Sequence, residues 1–243
     1  MTTSTAGVGG IRPLAIGTAI ALAGAAVWVT LVEQGVTVSE PPPFTTGTEA
    51  EQEAWYAWVS TTLPQRRLAR LLLGLALTGV GLTALRSTRP SWGSRGGATV
   101  LASGAAIWCL ADLAQAGGER AVELMAAAEN PIETVNAIAF TVDVTTEWLE
   151  AGSAVLIGVG AAAMARDFLK EQRTRGLGIC SVLVGVAGLV FGVMILLPGV
   201  DTTIAGIALG VILLPTWVVW LSLVATPAPA AGSAPTSTMT VGA

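Results

Sequence analysis

Six ionisable residues lie within or beside long apolar stretches of this 243-residue chain, where charge is costly and usually functional. They are Arg66, Arg70, Asp112, Asp143, Glu147 and Glu150. Counted from the polar ends of their stretches, Arg70, Asp112 and Glu150 are each roughly 15 residues in, about 23 Å at the helical rise. We therefore expect these three side chains at one depth, about one turn below the surface of a ~30 Å hydrocarbon core.

Arg70 is the natural centre of this cluster, because one guanidinium can bridge two carboxylates. Arg66 precedes Arg70 by one turn, and Asp143, Glu147 and Glu150 follow the i, i+4, i+7 spacing of one helix face. Two interpretations are open. The cluster is either a proton or cation site that opens outward, or a structural set of ion pairs whose long side chains reach the interface.

The amino-acid composition excludes several other kinds of functional site. The chain has no histidine, which excludes His-ligated haem, His-Glu-x-x-His zinc sites and Ser-His or Cys-His catalytic pairs. Its 12 basic residues against 16 acidic ones argue against a nucleic-acid partner. Cys109 and Cys180 lie in different apolar stretches and are interpreted as packing residues. No catalytic residue, metal site or cofactor is predicted.

Membrane-spanning helices must position these charges. The chain is 53% apolar and 12% charged, whereas soluble domains carry roughly 25% charged residues. The sequence predicts an all-α, polytopic integral membrane bundle of six transmembrane helices over 14–224. An N-terminal cytoplasmic segment, 1–13, and a disordered cytoplasmic tail, 225–243, flank the bundle. The six predicted spans are 14–32, 68–85, 98–116, 148–165, 177–197 and 203–224.

The positive-inside rule sets the orientation of this bundle. Seven of the 12 basic residues lie in the connections 86–97 and 166–176, which places both termini in the cytoplasm. The first external loop, 33–67, is predicted to hold a short interfacial helix that ends at Pro64, with a lid or docking surface as the alternative. A separate helical piece is expected over 119–128.

The fourth helix is expected to be much longer than its span. Asn130 is predicted to cap it, Pro131 to occupy its first position, and the helix to continue through the span to Lys170. Such a helix would be about 60 Å long, twice the hydrocarbon thickness. Its first half should therefore project outward or lie tilted beneath the external loops.

Small residues predict how the last two spans pack. Gly188 and Gly192 form a G-x-x-x-G motif in the fifth span, and Gly206 and Gly210 form another in the sixth. Equal distances from the connecting turn favour a hairpin in which the two motifs face each other; a homo-oligomer face is the alternative. Pro215 is predicted to kink the sixth helix.

The arrangement of these features resembles a known family. A long external loop, three charged helices, then Gly158, Arg166, Gly176, Gly178 and a glycine-rich hairpin resemble a bacterial six-helix membrane family defined only as a domain of unknown function. The resemblance covers roughly 66–224. It implies six helices and the bacterial plasma membrane, and it assigns no chemistry.

Three function hypotheses follow. The leading one is a multi-pass membrane protein with a structural or accessory role and no enzymatic activity. The alternative is a small proton- or cation-coupled transporter or channel that uses Arg70, Asp112 and Glu150. The third is an intramembrane enzyme, because carboxylates can perform acid–base chemistry without histidine. The expected partners are the lipid bilayer and either a second copy of the chain or another membrane protein.

Overall fold

The computed structural model describes residues 11–33, 49–88, 92–128 and 130–225. Within these ranges every regular element is helical, which confirms the all-α prediction. A π-helical segment, Ala208–Leu213, joins α6 to α7, and the predicted tail falls almost entirely outside the described residues. The α-helices are α1 (Ile11–Glu33), α2 (Glu49–Ser87), α3 (Trp92–Ala127), α4 (Ile132–Lys170), α5 (Arg175–Ile195), α6 (Thr203–Ile207) and α7 (Leu214–Ala225).

Six helical stretches are long and apolar enough to cross a membrane, so the six-span prediction is confirmed. Large apolar side chains on their outer faces, such as Ile20 at 69% exposure and Leu75 at 63%, are typical of a surface that lipid covers. The chain is therefore a membrane protein, while the orientation of its termini stays a prediction. The six stretches are Ile11–Val32, Thr61–Ser87, Ser94–Ala127, Thr134–Lys170, Arg175–Ile195 and Thr203–Val224.

Helix α4 packs between α3 and α5, and glycines let both helices approach it closely. A Cβ atom added at Gly160 would lie 2.6 Å from the carbonyl oxygen of Gly97 on α3. A Cβ atom added at Gly188 of α5 would lie 2.8 Å from the carbonyl oxygen of Ala154. These contacts leave no room for a side chain, so the helices pack backbone against backbone.

The glycine motifs of the fifth and sixth spans do not face each other, so that prediction is wrong. A Cβ at Gly188 or Gly192 would lie within 2.8 Å of a backbone carbonyl of α4, and both glycines are buried within the chain. Gly206 instead lies near the ring of Phe191, and Gly210 lies near α1. The short turn fixes the depth of these glycines, whereas packing against α4 and α1 fixes the rotation of each helix.

Helix α2 does not end at Pro64, so the separate interfacial helix is also a wrong prediction. Pro64 lies inside one continuous helix from Glu49 to Ser87. A proline in a helix interior removes a backbone hydrogen bond at a cost of about 3 kcal/mol. Trp55 and Leu63, which both precede the proline, are buried in a second hydrophobic core against α3 and α4. This burial stabilises the helical continuation.

Helix α3 also continues where a separate piece, 119–128, was expected. Gly118 contacts Val142 of α4, so the absence of a side chain allows the two helices to stay packed beyond the predicted end of the span. Asn130 does not cap α4: its Nδ2 donates to the carbonyl oxygen of Met125 at 3.1 Å, and Pro131 is the N-cap residue. The predicted long fourth helix is confirmed, with 39 residues that end at Lys170.

The sixth span is irregular close to Pro215, as the sequence indicates. The irregularity takes the form of the π-helical segment, which ends two residues before the proline. Proline lacks a backbone N–H donor, and a π-helical turn is a common local adjustment that satisfies the backbone group left without this donor. At the start of this span, hydrogen bonds from the side chain and backbone of Thr203 lower the pKa of the exposed Asp201 carboxyl group.

Candidate functional site

A polar cavity of about 420 Å³ lies inside the bundle and is lined by residues of all six spans. We call it the larger cavity. Four of the six predicted site residues line it: Arg70 from α2, Asp112 from α3, and Glu147 and Glu150 from α4. The opposite walls are mostly apolar side chains of α1, α5 and the sixth span. The cavity therefore has one charged wall and one apolar wall.

The predicted ion pair between Arg70 and Glu150 is present in this cavity. Nη1 of Arg70 lies 2.7 Å from Oε1 of Glu150, and the two side chains are 17% and 15% exposed. The helical-rise estimate placed both groups at one depth, and the contact agrees with that estimate. Because the pair is largely buried, removal of one partner would leave a charge in a poorly solvated position.

Asp112 occupies space that a glycine provides on the neighbouring helix. Its side chain is 1% exposed, and a Cβ added at Gly74 of α2 would lie 2.8 Å from its Oδ2. One turn before Asp112, the indole of Trp108 lies parallel to the ring of Phe191, with ring centroids 6.1 Å apart. The carboxylate is thus held at the boundary between the charged wall and an aromatic wall.

The smaller cavity, of about 180 Å³, lies between the extended parts of α2, α3 and α4. It contains the other two predicted site residues, Arg66 and Asp143, together with Gln115 and Glu119. The expected single cluster is therefore divided between two cavities. Trp55 and Trp58 of α2 complete the wall of the smaller one.

Hydrogen bonds through Gln115 organise the acids of the smaller cavity. Its Nε2 donates to Oδ1 of Asp143 at 2.6 Å and reaches Oε1 of Glu119 at 3.5 Å. The hydroxyl group of Thr146 donates to Oε1 of Gln115 at 2.7 Å, which orients the amide. A neutral amide thus connects two carboxylates that lie on different helices.

Sequence reasoning missed Glu119 because it ended the third span at residue 116, and it missed Gln115 because only ionisable residues were considered. A signal for them was available. Asp112, Gln115 and Glu119 follow the i, i+3, i+7 spacing that places side chains on one helix face. Had α3 been continued, the same arithmetic that grouped the acids of α4 would have grouped these three polar residues.

Ion pairs and a backbone hydrogen bond also involve carboxylates outside both cavities. Glu123 on α3 accepts from Arg67 on α2 at 3.2 Å and from Arg120 at 2.8 Å. At the opposite end of the bundle, Oδ2 of Asp167 accepts from the backbone N–H of Ser94 at 2.8 Å. The Arg67–Glu123 and Ser94–Asp167 contacts connect neighbouring helices, whereas the Arg120–Glu123 pair lies within α3; none of these residues lines either cavity.

The chemistry that the described residues offer is acid–base and ionic. Cys109 and Cys180 are free thiols, and no group of three or more His, Cys, Asp or Glu within the described ranges could hold a metal ion. Searches against protein-family models, curated proteins and solved structures find no match to this chain. The resemblance to a bacterial six-helix family therefore stays a prediction.

Proposed function

We propose that this chain is a small proton- or cation-coupled transporter that binds its cation in the larger cavity. The supporting observation is that three carboxylates and one guanidinium line a single cavity of about 420 Å³. With all four groups ionised, three negative charges against one positive charge leave a net charge of −2. A cavity of this sign within a low-dielectric bundle attracts cations and repels anions.

The placement of the acids supports passage of a cation between the cavity mouth and its interior. Glu147 is exposed, Glu150 is largely buried against Arg70, and Asp112 is 1% exposed. A cation that enters past Glu147 can therefore exchange water for carboxylate oxygens in steps. Protonation of an acid would release the cation, which is the elementary requirement for coupling to a proton gradient.

The proposal is tested with the full chain reconstituted in proteoliposomes on a solid-supported membrane. We expect transient currents when the solution is stepped in Na⁺, K⁺ or pH, and loss of those currents in Asp112→Asn. Glu123→Gln is the matched control, because it also neutralises a carboxylate of α3 but lies outside the cavity. Wild-type protein that gives no current in any of the three steps would contradict the proposal.

A structural or accessory role is the second candidate, and the extended parts of α2, α3 and α4 favour it. They contain their own hydrophobic core, formed by Trp55, Leu63, Val122, Ala126 and Val135. A packed extension of this kind supports docking of another membrane protein. The triple variant Arg70→Met, Asp112→Asn, Glu150→Gln separates the candidates: a structural role predicts that a folded variant keeps its biological activity, whereas a transporter loses flux.

We further propose that the chain lies in the bacterial plasma membrane with both termini in the cytoplasm and has no enzymatic activity. The distribution of basic residues between the connections supports the orientation. Reporter fusions at residues 125 and 171 should report outside and inside, respectively. The opposite result would reverse the orientation and place the smaller cavity on the cytoplasmic side.

A further inference from the structure

We propose that the smaller cavity is a second binding site, which takes a primary ammonium group joined to a phosphate. Such zwitterions occur free, as phosphoethanolamine, and as the headgroup of phosphatidylethanolamine. The proposal does not depend on transport through the larger cavity, because different side chains line the two cavities.

Glu119 is the group that points to an ammonium ligand. The residue is 5% exposed, yet its Oε2 has no hydrogen-bond partner among the residues that the structure describes. A buried carboxylate oxygen without a donor is costly, and a charged donor is its strongest partner. A primary ammonium has three N–H donors, whereas a quaternary ammonium has none. This difference selects the primary amine.

The aromatic wall supports a cation at the same place. Trp55 is 9% exposed and lines the cavity together with Trp58. Indole rings attract ammonium groups through their π faces, and the attraction is stronger in a desolvated site. Asp143 adds a second carboxylate, whose Oδ1 already accepts from Gln115.

Arg66 provides the complementary charge for the phosphate. It lines the same cavity as Glu119 and Asp143, and a guanidinium can donate two parallel hydrogen bonds to a phosphate. The volume of about 180 Å³ equals roughly six water molecules, which suits a headgroup-sized ligand rather than a drug-sized one.

The position along α3 is also that of a lipid headgroup. Glu119 lies 22 residues beyond Gly97, which is about 33 Å along the helix. The hydrocarbon core is about 30 Å thick, so the cavity falls at the level where the polar headgroups begin. A lipid could therefore insert its headgroup without lifting its chains out of the bilayer.

Two measurements on the purified full chain test the site and distinguish its two ligand sources. The first is calorimetric titration of the protein in dodecyl maltoside with phosphoethanolamine and, separately, with inorganic phosphate. The second is the unfolding temperature in nanodiscs of phosphatidylethanolamine compared with phosphatidylglycerol. Each is carried out on wild type, Glu119→Gln and the control Glu123→Gln, which changes a carboxylate one turn away on α3 and outside the cavity.

Saturable binding of phosphoethanolamine that Glu119→Gln weakens about tenfold or more, and that Glu123→Gln leaves unchanged, would support a free zwitterion. A higher unfolding temperature in phosphatidylethanolamine, lost in Glu119→Gln alone, would support the lipid headgroup. If Glu119→Gln does not fold, Trp58→Leu takes its place and should weaken either effect. The proposal would be overturned if the wild type responded in neither measurement, or if inorganic phosphate alone bound as tightly as phosphoethanolamine.

Discussion

The two cavities take their charged residues from the same three helices but balance those charges differently. In each, α2 supplies an arginine while α3 and α4 supply acids. In the larger cavity Arg70 contacts Glu150 directly at 2.7 Å. In the smaller cavity the closest polar contact is between a neutral amide and a carboxylate, from Gln115 to Asp143 at 2.6 Å.

This difference separates two ways of keeping acids inside a helical bundle. A direct ion pair neutralises charge within the protein. Removal of one partner leaves the other as a buried charge whose desolvation is not compensated. An amide organises carboxylates without cancelling their charge, so the remaining negative charge is available to an external cation. The first arrangement should therefore contribute more to stability than the second.

Removal of Arg70 should give the largest effect. Arg70→Ala leaves Asp112, Glu147 and Glu150 together without their guanidinium, and we expect a loss of about 3 kcal/mol in unfolding free energy. Chemical denaturation in detergent at neutral pH measures this loss, with Arg66→Ala in the smaller cavity as the comparison. An equal loss in both variants would remove the distinction between the cavities.

A side chain at Gly74 should disturb the larger cavity next most strongly. In Gly74→Ala the new Cβ would meet Oδ2 of Asp112 at 2.8 Å and the backbone of Cys109 at 3.0 Å, which forces α2 and α3 apart. We expect a loss of about 2 kcal/mol, within the range for overpacking.

Gly117→Ala is the matched control for this substitution. Nothing lies within 4 Å of its added Cβ, so the gain in helix propensity should stabilise the protein by about 0.5 kcal/mol. Thermal unfolding in one detergent compares the two variants. If both substitutions changed the unfolding temperature in the same direction, the close approach at Gly74 would not be what positions Asp112.

Loss of the Gln115 amide in the smaller cavity should destabilise the protein less than the changes in the larger cavity. Gln115→Leu removes the donor to Asp143 and the acceptor for Thr146, and we expect a cost of about 1–2 kcal/mol in unfolding free energy. Chemical denaturation followed by circular dichroism measures it. A cost as large as that of Arg70→Ala would indicate that the amide, rather than the ion pair, holds the three helices together.

The smallest effect should come from the ion pairs outside both cavities. Glu123 and Arg67 are 22% and 23% exposed, and Arg120 is 53% exposed. Glu123→Gln should therefore cost less than about 1 kcal/mol, and high salt should reduce that difference further. Unfolding temperatures at low and high ionic strength test this, and a cost that does not respond to salt would argue against a screened surface pair.

The sequence predicts the depth of a residue along its helix better than it predicts which neighbouring helix that residue faces. Helical rise alone placed Arg70 and Glu150 at one level, and the two side chains form an ion pair. The same counting placed the two glycine motifs at one level, yet Gly188 packs on α4 and Gly210 lies near α1. Position along a helix follows from residue number, whereas the partner of each face depends on how all the helices pack.

The ends of helices were also predicted poorly, and this error concealed Glu119. Proline and glycine signals predicted breaks at Pro64 and near Gly118, but tertiary burial carries both helices through them. The second core that makes this favourable joins residues far apart in sequence, such as Trp55 and Val135. Local propensity contains no information about such contacts, so Glu119 was assigned to a connection rather than to a helix face.

The two-turn separation of Asp112 and Glu119 on α3 has an energetic consequence for both cavities. Seven residues correspond to about 10 Å along the helix axis. At that distance and an effective dielectric constant of about 20, two unit charges interact by roughly 1.7 kcal/mol, which changes an equilibrium constant more than tenfold. On the two proposals made above, an ammonium group at Glu119 should therefore weaken the binding of a cation at Asp112, and the phosphate of the same ligand should offset part of this effect. By thermodynamic reciprocity, a cation at Asp112 should weaken the binding of the zwitterion by the same factor.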